Sequence, residues 1–438
     1  MQRELLEVAQ YVKKHPIEKE KETYKRRYIN VLEYFVRKYS SKDEYSESML
    51  KLYKSKLLKS PEQYEYDDKE LKYISKGVLS LKTRKFKFFT YRYCLLVDVI
   101  FMCAFLNKEK ANEIFQEITC IYNKRYWKKL KVLFGVITES SDIECVFEQT
   151  EYIVECVKKN KKYLESKDRN ILVTANMSAG KSTLVNAFIG KKVNKTQNDA
   201  CTAKNHYIVN KAFEDDLDYK YDNGLNLDIS VEELLEDDSA NKKNEIYVGT
   251  RFRTLSEVEG RICFIDTPGV NSSRNVDHSF ITNEMIKSGN YNLMLFVLNG
   301  QNIGTNDDKR HMEYVVKNYE GKVIFLVNKL DSFGGEDSVS ETVSKVREDI
   351  LKLGFQNAEV YPISAHVAML AKRHLFYSDL NKFEEMELEI LYKHMSEEEY
   401  NFEKYYPVEL DVSYNADNKK DIELLIHSGI LSLEKMIM

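Results

Sequence analysis

The chain has 438 residues, of which 43% are hydrophobic and 31% are charged. This composition argues against wholesale disorder and gives room for two or three domains with a sizeable core. Only 16 glycines and 5 prolines occur, so helices should dominate and an all-β sandwich is disfavoured. The net charge of −4 hides an asymmetry: residues 1–170 hold 36 basic and 26 acidic side chains, and the remainder holds 30 and 44. We therefore expect two regions with surfaces of opposite charge.

The cysteine pattern and the N-terminal sequence favour a reduced, cytoplasmic protein. The seven cysteines include no Cys-x-x-Cys pair and no Cys/His cluster with zinc spacing. The start of the chain lacks the apolar core of a signal peptide. The longest apolar run, residues 94–106, is interrupted by Asp98 and is too short to span a bilayer. It predicts a buried helix, so we expect any membrane contact to be peripheral.

Residues 1–164 are predicted to form an α-helical region. Only two of the glycines precede residue 170, and apolar residues recur at three- and four-residue spacing, which is typical of amphipathic helices. The segments with this spacing are 4–14, 24–39, 71–81, 91–107, 112–133 and 143–164. We expect these helices to pack as a bundle.

Residues 165–438 are predicted to form an α/β domain with a mostly parallel sheet. Short apolar runs rich in Ile, Val and Phe alternate with helical stretches, which is typical of a sheet covered by helices on both faces. The runs are 171–174, 206–209, 262–265, 293–298, 323–327 and 360–363. We interpret residues 211–259 as an acidic insertion and residues 376–406 as a helical insertion.

The first chemical motif is a phosphate-binding loop that follows the strand at 171–174 and precedes an amphipathic helix. Its sequence is Ala175-Asn-Met-Ser-Ala-Gly-Lys-Ser-Thr183; the strict pattern has Gly in place of Ala175. Backbone N–H groups and the helix N-terminus would hold phosphate oxygens, Lys181 would contact the β- and γ-phosphates, and the Ser182 hydroxyl would bind Mg²⁺. The predicted nucleotide-binding residues here are Asn176, Met177, Ser178, Ala179, Gly180, Lys181, Ser182 and Thr183. The alternative is an incidental Gly-Lys-Ser at the start of a helix.

The second motif, Asp266-Thr-Pro-Gly269, follows a predicted strand. Asp266 would hold Mg²⁺, usually through water, and the Gly269 N–H would meet the γ-phosphate. As an isolated tetrapeptide this motif is often an ordinary turn. Its place after a phosphate loop strengthens the prediction.

The third motif, Asn328-Lys-Leu-Asp331, predicts the base that is read. The Asp331 carboxylate would accept from the adjacent N1–H and N2–H₂ donors of guanine, a pair that adenine lacks. Asn328 would brace the loops and Lys329 would cover the base. A backbone N–H of Ser364 or Ala365, at the end of the next strand, would meet the guanine O6.

A threonine between the phosphate loop and Asp266 completes the set. Thr202 precedes the strand at 206–209. It would close over the γ-phosphate and bind Mg²⁺ through its hydroxyl. This assignment rests on position alone, because single threonines are common.

The four elements together resemble the dynamin superfamily, specifically bacterial dynamin-like GTPases. Residues 178–187 are close to that family's phosphate loop, and the interval of 64 positions from Thr202 to Asp266 is long, as in dynamins. The resemblance covers residues 165–438, where residues 428–434 look like the start of the last G-domain helix. For residues 1–164 it is only architectural, and it suggests a short stalk or a partner-binding bundle.

The resemblance implies a P-loop G domain that binds GTP or GDP with Mg²⁺ and hydrolyses GTP. The implied catalytic residues are Ser178, Lys181 and Thr202, the metal ligands are Ser182, Thr202 and Asp266, and Ser178 would help to hold a monovalent cation at the phosphate loop. The resemblance also implies self-association of two G domains across the nucleotide, or pairing with a second dynamin-like subunit, coupled to membrane remodelling.

Two departures from the family pattern affect hydrolysis. Met177 stands where the family often has a glutamine that positions water, and a thioether cannot donate a hydrogen bond. Val270, after Gly269, is also apolar. Lys204 or Arg274 could supply a compensating cation. We expect hydrolysis by the monomer to be slow and to accelerate on assembly.

Alternatives remain open at this point. The chain could be a weakly hydrolysing GTP-dependent switch or scaffold that regulates a protein partner without touching lipid. An ATPase is disfavoured by Asp331. The basic and aromatic stretch 81–93 could contact an anionic membrane, although a bundle helix with snorkelling lysines is the favoured interpretation. Nucleic-acid binding fits this stretch less well because the whole protein is acidic.

Overall fold

A computed structural model describes most of the chain. The described residues are 2–40, 43–60, 67–79, 88–139, 149–194, 204–235, 245–255, 260–270, 276–334, 338–413, 415 and 417–438.

The chain divides into two compact units. Unit 1 comprises Met1–Glu165, Lys211–Tyr219 and Gly224–Asp228, and unit 2 comprises Ser166–Asn210, Lys220–Asn223 and Ile229–Met438. This division differs from the predicted one because two pieces of the predicted acidic insertion belong to unit 1.

Unit 1 is helical, as its sequence predicts. Its helices are α1 (Glu22–Tyr39), α2 (Glu44–Leu57), α3 (Asp68–Leu79), α4 (Phe88–Cys103), α5 (Lys108–Ile121), α6 (Trp127–Thr138) and α7 (Glu151–Glu165). The apolar run at 94–106 lies in and just after α4, whose residues from Tyr91 onward are buried. Among the described residues, no helix is both long enough and apolar enough to cross a membrane.

Two helix predictions in unit 1 differ from the structure, and one helix was not predicted. Residues 4–14 form short 3-10 turns instead of one α-helix. The predicted helix 112–133 breaks after Ile121, because the Asn123 side chain accepts the Arg125 N–H at 3.1 Å and so caps a new turn. Helix α2 was missed, although Asp43 caps it by accepting the Ser46 N–H at 3.0 Å.

A fully buried carboxylate lies at the centre of unit 1. Asp98, on α4, accepts hydrogen bonds from the Tyr11, Tyr28 and Tyr53 hydroxyls and contacts the His15 Nε2 at 3.0 Å. The His15 Nδ1 accepts the Ile17 N–H, so the neutral ring donates from Nε2 to Asp98. Four donors thus satisfy a charge that would otherwise be very costly to bury. Burial and the neighbouring Asp98 raise the pKa of Tyr11 and Tyr28, which keeps their hydroxyls protonated.

The segment from Lys211 to Tyr219 completes unit 1. The Asp215 carboxylate accepts the Gln10 N–H at 2.7 Å, and the Tyr219 hydroxyl donates to the Val8 carbonyl at 3.1 Å. Lys211 is fully buried and pairs with Asp215. These bonds explain why this part of the predicted insertion belongs to the helical unit.

Unit 2 is built on a sheet with the predicted, mostly parallel arrangement. Its central strands run in the order β5 (Glu245–Thr250), β2 (Asn205–Asn210), β6 (Arg261–Asp266), β1 (Asp168–Ala175), β7 (Leu293–Asn299), β8 (Val323–Asn328) and β9 (Glu359–Ile363). Only the β2–β6 pair is antiparallel; the other five pairs are parallel. The α/β prediction is therefore confirmed. Two strands are short: β3 (Tyr219–Tyr221), whose last two residues belong to unit 2, and β4 (Leu225–Asn226), which belongs to unit 1.

Strand β5 lies inside the predicted acidic insertion 211–259, so that interpretation is wrong for residues 245–250. Ile246 and Val248, each 1% exposed, alternate with the more exposed Glu245 and Tyr247, and this alternation was the available signal. Pairing with β2 buries this strand on the sheet.

The helices of unit 2 lie between its strands and after the last strand, β9. They are α8 (Lys181–Ile189), α9 (Val231–Leu234), α10 (Val276–Ser288), α11 (Asn306–Asn318), α12 (Val339–Lys352), α13 (Ala365–Tyr377), α14 (Lys382–Met395), α15 (Lys419–His427) and α16 (Ile430–Ile437). The predicted helical insertion 376–406 corresponds to the end of α13, to α14 and to two 3-10 turns, Glu398–Tyr400 and Phe402–Tyr405.

The strand register brings the predicted motifs to one edge of the sheet. Val173 of β1 pairs with Asp266 of β6, and Asn328 of β8 pairs with Ile363 of β9. All four strands are parallel, so their carboxyl ends lie on the same side, where ligands bind in open α/β sheets.

Candidate functional site

The loop between β1 and α8 has the backbone shape of a phosphate cradle. Ser178 has a φ of 62°, and Gly180, which precedes Lys181 at the start of α8, has a φ of 90°. A positive φ is uncommon for a serine and marks a loop whose conformation is imposed. The first N–H groups of α8 have no partners within the helix, so the loop and helix together can offer donors to an anion.

Gly180 cannot be replaced by a residue with a side chain without moving its neighbours. A Cβ built on Gly180 would lie 2.2 Å from the Asn328 Nδ2, far inside van der Waals contact. The positive φ adds strain for any other residue. The close approach of the phosphate loop to Asn328 therefore requires glycine at this position.

Asp266 is the centre of a polar network beneath the loop. Its carboxylate receives the Lys181 Nζ, the Ser182 hydroxyl at 3.0 Å and the Asn194 Nδ2 at 2.8 Å. Lys181 and Asp266 are largely buried, with side chains 10% and 6% exposed. The His206 Nδ1 in turn contacts the Asn194 Oδ1 at 3.1 Å. The residues predicted to hold phosphate and Mg²⁺ are thus brought together.

The donor set fits Mg²⁺ carried by a nucleotide. Ser182 and Asp266 offer a hydroxyl and a carboxylate, the hard oxygen ligands that Mg²⁺ prefers. Within the part of the chain that the structure describes, no three His, Cys, Asp or Glu side chains are grouped to hold a metal ion. Magnesium usually takes one or two protein ligands and completes its shell with phosphate oxygens and water, so this small set is sufficient.

Asn328 ties the phosphate loop to the segment predicted to read the base. Its Nδ2 donates to the Ala179 carbonyl at 2.8 Å, and its Oδ1 accepts the Ala365 N–H at 3.0 Å. Lys329 follows with a φ of 68°, and its Cε lies 4.0 Å from a Cβ built on Gly180. One buried amide thereby fixes three loops relative to one another.

Asp331 has an unsatisfied carboxylate oxygen. Its Oδ1 is buried and accepts no hydrogen bond from any residue that the structure describes. Leaving a buried acceptor unpaired costs about 1–3 kcal/mol, and more for a charged group. This cost is removed if a ligand supplies the donor, as the N–H groups of guanine would.

The backbone N–H groups predicted to meet the guanine O6 already have partners. The Ser364 N–H donates to the Ser428 carbonyl and the Ala365 N–H donates to Asn328, both at 3.0 Å. Ser364 also caps α13, since its hydroxyl accepts the Val367 N–H at 3.3 Å. An O6 contact from Ala365 would require Asn328 to release that bond.

Met177 lies against Gly269. The side chain is 41% exposed, and its Cγ would be 3.1 Å from a Cβ built on Gly269. The residue at the family's glutamine position is therefore adjacent to the glycine predicted to meet the γ-phosphate. Thr183 lies in the first turn of α8.

Two predicted residues lie outside the described part of the chain. They are Thr202, predicted to bind Mg²⁺ and act in catalysis, and Arg274, one of two candidate cations. The other candidate, Lys204, is 5% exposed, and its Nζ lies 3.6 Å from the Asp222 Oδ1.

Comparison with known proteins identifies the domain that carries these motifs. Residues 171–330 match the family model described as "Dynamin family". This segment is a dynamin-family domain. The match begins within β1 and ends at Leu330, one residue before Asp331, so it spans the phosphate loop, Asp266 and Asn328. Dynamin-family domains are P-loop GTPase domains, which agrees with the predicted fold and indicates guanine-nucleotide chemistry.

Two solved structures of Era are also similar to this chain. One is Era in complex with MgGDPNP and a 16S ribosomal RNA segment, with a TM-score of 0.29, and the other is an Aquifex aeolicus Era variant bound to GDP·AlF₄⁻, with a TM-score of 0.30. Each is 18% identical, and the match covers 57% of this chain and 60% of Era. TM-scores this low do not establish a common architecture. The search of curated proteins gave no match.

Sequence reasoning missed several polar residues of the dynamin-family domain. Asn194 and His206 extend the Asp266 network. Only their closeness to Thr202 pointed to them.

A second group of residues that sequence reasoning missed makes hydrogen-bond contacts at the start of the phosphate loop. The Asn176 Nδ2 donates to Asp308 at the start of α11, and His311, one turn later, contacts the Thr174 hydroxyl at 2.9 Å. Burial lowers the pKa of His311 to about 4, so its ring is neutral near pH 7. These partners are distant in sequence, and no spacing rule indicated them.

Proposed function

We propose that the chain binds GTP with Mg²⁺ and hydrolyses it. The observation that carries this proposal is the pair of hydrogen bonds in which the Asn328 side chain donates to the Ala179 carbonyl and accepts the Ala365 N–H. They hold the phosphate loop beside the segment that contains Asp331. A loop for phosphates and an unpaired buried carboxylate for the base are thus joined in one site. The dynamin-family match supports the same chemistry.

Each residue has a definite role in this proposal. Lys181 neutralises phosphate charge, and the backbone N–H groups around Gly180 donate hydrogen bonds to the phosphate oxygens. Ser182 and Asp266 would hold Mg²⁺, which would offset negative charge on the phosphate oxygens. Because Lys181 pairs with Asp266, nucleotide binding exchanges that ion pair for one with phosphate. Thr202 would add a second hydroxyl ligand.

Hydrolysis is expected to be slow in the monomer. Neither Met177 nor Val270 carries a group that can orient an attacking water, and Met177 lies directly against Gly269. Positioning of the nucleophile is a large part of catalysis in phosphoryl transfer. We propose that self-association through G domains, or pairing with a dynamin-like subunit, completes the site. Ser178, with its constrained φ of 62°, would help to hold a monovalent cation there.

Membrane remodelling is the further step that the resemblance implies. The charge balance of residues 1–170 supports contact between the basic N-terminal helices and an anionic membrane. Flotation of the full chain with vesicles of zwitterionic lipid, with and without phosphatidylserine, tests this step. Absence of flotation with both vesicle types would rule out lipid contact.

Nucleotide titration tests the central proposal. We expect GTP to bind at least about 100-fold more tightly than ATP, as one lost pair of charge-assisted hydrogen bonds predicts. Lys181→Ala should abolish binding and leave the circular dichroism spectrum unchanged, whereas the exposed Lys309→Ala should bind normally. Normal GTP affinity in Lys181→Ala, or tighter binding of ATP, would contradict the assignment. Turnover per molecule should rise with protein concentration; a flat profile would contradict activation by assembly.

A second candidate is a GTP-dependent switch or scaffold that hydrolyses poorly and regulates a protein partner. The apolar side chains at Met177 and Val270 favour it. GTP binding without dimerisation, turnover or flotation would support the switch, whereas GTP-stimulated dimerisation with turnover would support the first proposal.

A further inference from the structure

A solvent-open cavity of about 330 Å³ lies in unit 2, apart from the nucleotide site. It is bounded by β2 and β5, by the end of β6 and by one side of α10. The residues that determine its chemistry are Asn205, Tyr207, Glu245, Phe280, Glu284 and Met285. None of them belongs to the nucleotide-binding set.

The cavity carries negative charge that no described lining residue neutralises. Glu245 accepts the Tyr207 hydroxyl at 3.4 Å and the Tyr247 hydroxyl at 3.1 Å, and both donors are neutral. Burial, and then the Glu245 charge, raise the pKa of Tyr207, so this hydroxyl stays protonated. Glu284 is exposed and pairs with Lys287 at 3.6 Å, a surface pair of little energetic value. No lysine or arginine is among the described residues that line the cavity.

A buried amide oxygen supplies an independent indication of a ligand. Asn205 lines the cavity and is only 6% exposed. Its Oδ1 is buried and accepts no hydrogen bond within the described part of the chain. An acceptor in this state is stabilised by a ligand that carries a donor.

Aromatic rings give the cavity a surface suited to a cation. Tyr207 stacks on Tyr247 with ring centroids 4.6 Å apart and an interplanar angle of 13°. Phe280, on α10, is 65% exposed at the rim. The faces of such rings attract guanidinium and ammonium groups, most strongly where water is partly excluded.

We propose that this cavity binds the guanidinium group of an arginine side chain presented by a partner protein. Guanidinium has five N–H donors in one plane, so it can donate to the Asn205 Oδ1 and to a carboxylate while it lies on an aromatic face. A lysine ammonium shares the charge but cannot stack in this way. The inference does not depend on the proposed nucleotide chemistry.

The rim favours a polypeptide over free arginine as the source of this group. The carboxylates of Glu245 and Glu284 repel the α-carboxylate of a free amino acid, whereas a peptide carries no charge there. Exposed Phe280 offers apolar contact area that only a larger partner would cover. Arginine seated among aromatic residues is a common centre of protein–protein interfaces.

Methionine-methyl NMR on the full chain tests the proposal, because Met285 lines the cavity. Its ¹³C-methyl resonance is assigned by its disappearance in Met285→Leu. N-acetyl-arginine amide should shift this resonance saturably. N-acetyl-citrulline amide, which is neutral and of similar shape, should bind at least about 10-fold more weakly, since it loses the charge-assisted bonds. Free arginine should bind no more tightly than the capped form.

A pair of acidic variants supplies the matched comparison. Glu284 lies on the exposed side of α10 and lines the cavity, so Glu284→Gln should weaken capped-arginine binding several-fold. Glu385 lies on the exposed surface of α14, so Glu385→Gln should leave that binding unchanged. The proposal is overturned by an unmoved Met285 resonance, by equal shifts with citrulline, or by equal binding to both variants. Tighter binding of free arginine than of the capped form would overturn the assignment to a protein partner.

Discussion

Asp331→Asn is expected to change the base that this protein prefers from guanine to xanthine. Its buried Oδ1 has no partner among the described residues, so a bound base is the group that would satisfy it. An amide at this position loses the negative charge and presents NH₂ to the N–H donors of guanine. Xanthine has a carbonyl where guanine has its amino group, so an amide can donate to xanthine.

The size of the effect follows from the hydrogen bonds involved. A hydrogen bond to a charged group contributes about 1.5–3 kcal/mol, and the carboxylate would make two with guanine. If one bond is lost and the other weakened, the loss is about 3 kcal/mol, or roughly 150-fold in affinity for GTP. The free energy of unfolding without nucleotide should not fall, because no described residue donates to the Oδ1.

Displacement of a fluorescent GDP analogue by GTP and by XTP measures this exchange. Wild-type protein should prefer GTP and the variant should prefer XTP, whereas Asp307→Asn, an exposed acidic residue on α11, should behave as wild type. A variant that keeps its preference for GTP and gains no affinity for XTP would show that Asp331 does not read the base.

Three further predictions concern the dynamin-family domain and its surroundings. Gly180→Ala should weaken nucleotide binding at least about 10-fold, because the new Cβ displaces Asn328 and because alanine is strained at a positive φ. Unchanged GTP affinity would contradict the role of Asn328 in holding the phosphate loop. His311, with its pKa lowered to about 4 by burial, binds protons less readily when folded than when unfolded, so stability should fall by about 2 kcal/mol between pH 7.5 and pH 5. His311→Gln should remove that part of the loss in urea titrations. Lys372 is fully buried with Glu434 and donates to the Phe188 carbonyl at 3.1 Å. Lys372→Met should lower the free energy of unfolding by about 3–5 kcal/mol because it leaves Glu434 buried without a partner, and Lys372→Met/Glu434→Leu should recover most of that loss. Equal losses in the single and double variants would show that the unpaired charge is not the cause.

The order of motifs carried most of the prediction for unit 2. The apolar runs that form strands, the Gly-Lys-Ser turn and the Asn-Lys-x-Asp turn are all local features of the sequence. Parallel register then places the two turns at the same edge of the sheet without further information. The pairing of β5 was missed because its acidic neighbours hid a short alternating strand within 211–259.

Contacts between distant segments account for the rest. No local pattern indicated that Asn176 would donate to Asp308, or that Asn328 would take up the Ala365 N–H predicted for the guanine O6. In unit 1, Asp98 was correctly placed in a buried helix, but its four donors come from residues 45 to 87 positions away. Such networks depend on how helices pack, which periodicity does not determine.

Because residues 211–219 belong to unit 1, the two units cannot be expressed separately by cutting the chain at one position. A fragment that ends at Glu165 would lack Asp215 and Tyr219, and the Gln10 N–H and Val8 carbonyl would lose their partners. The complementary fragment would carry Lys211, an otherwise buried cation, out into solvent. Truncation at the apparent boundary should therefore yield insoluble pieces, and a soluble nucleotide-binding fragment should require a short replacement linker in place of residues 211–219.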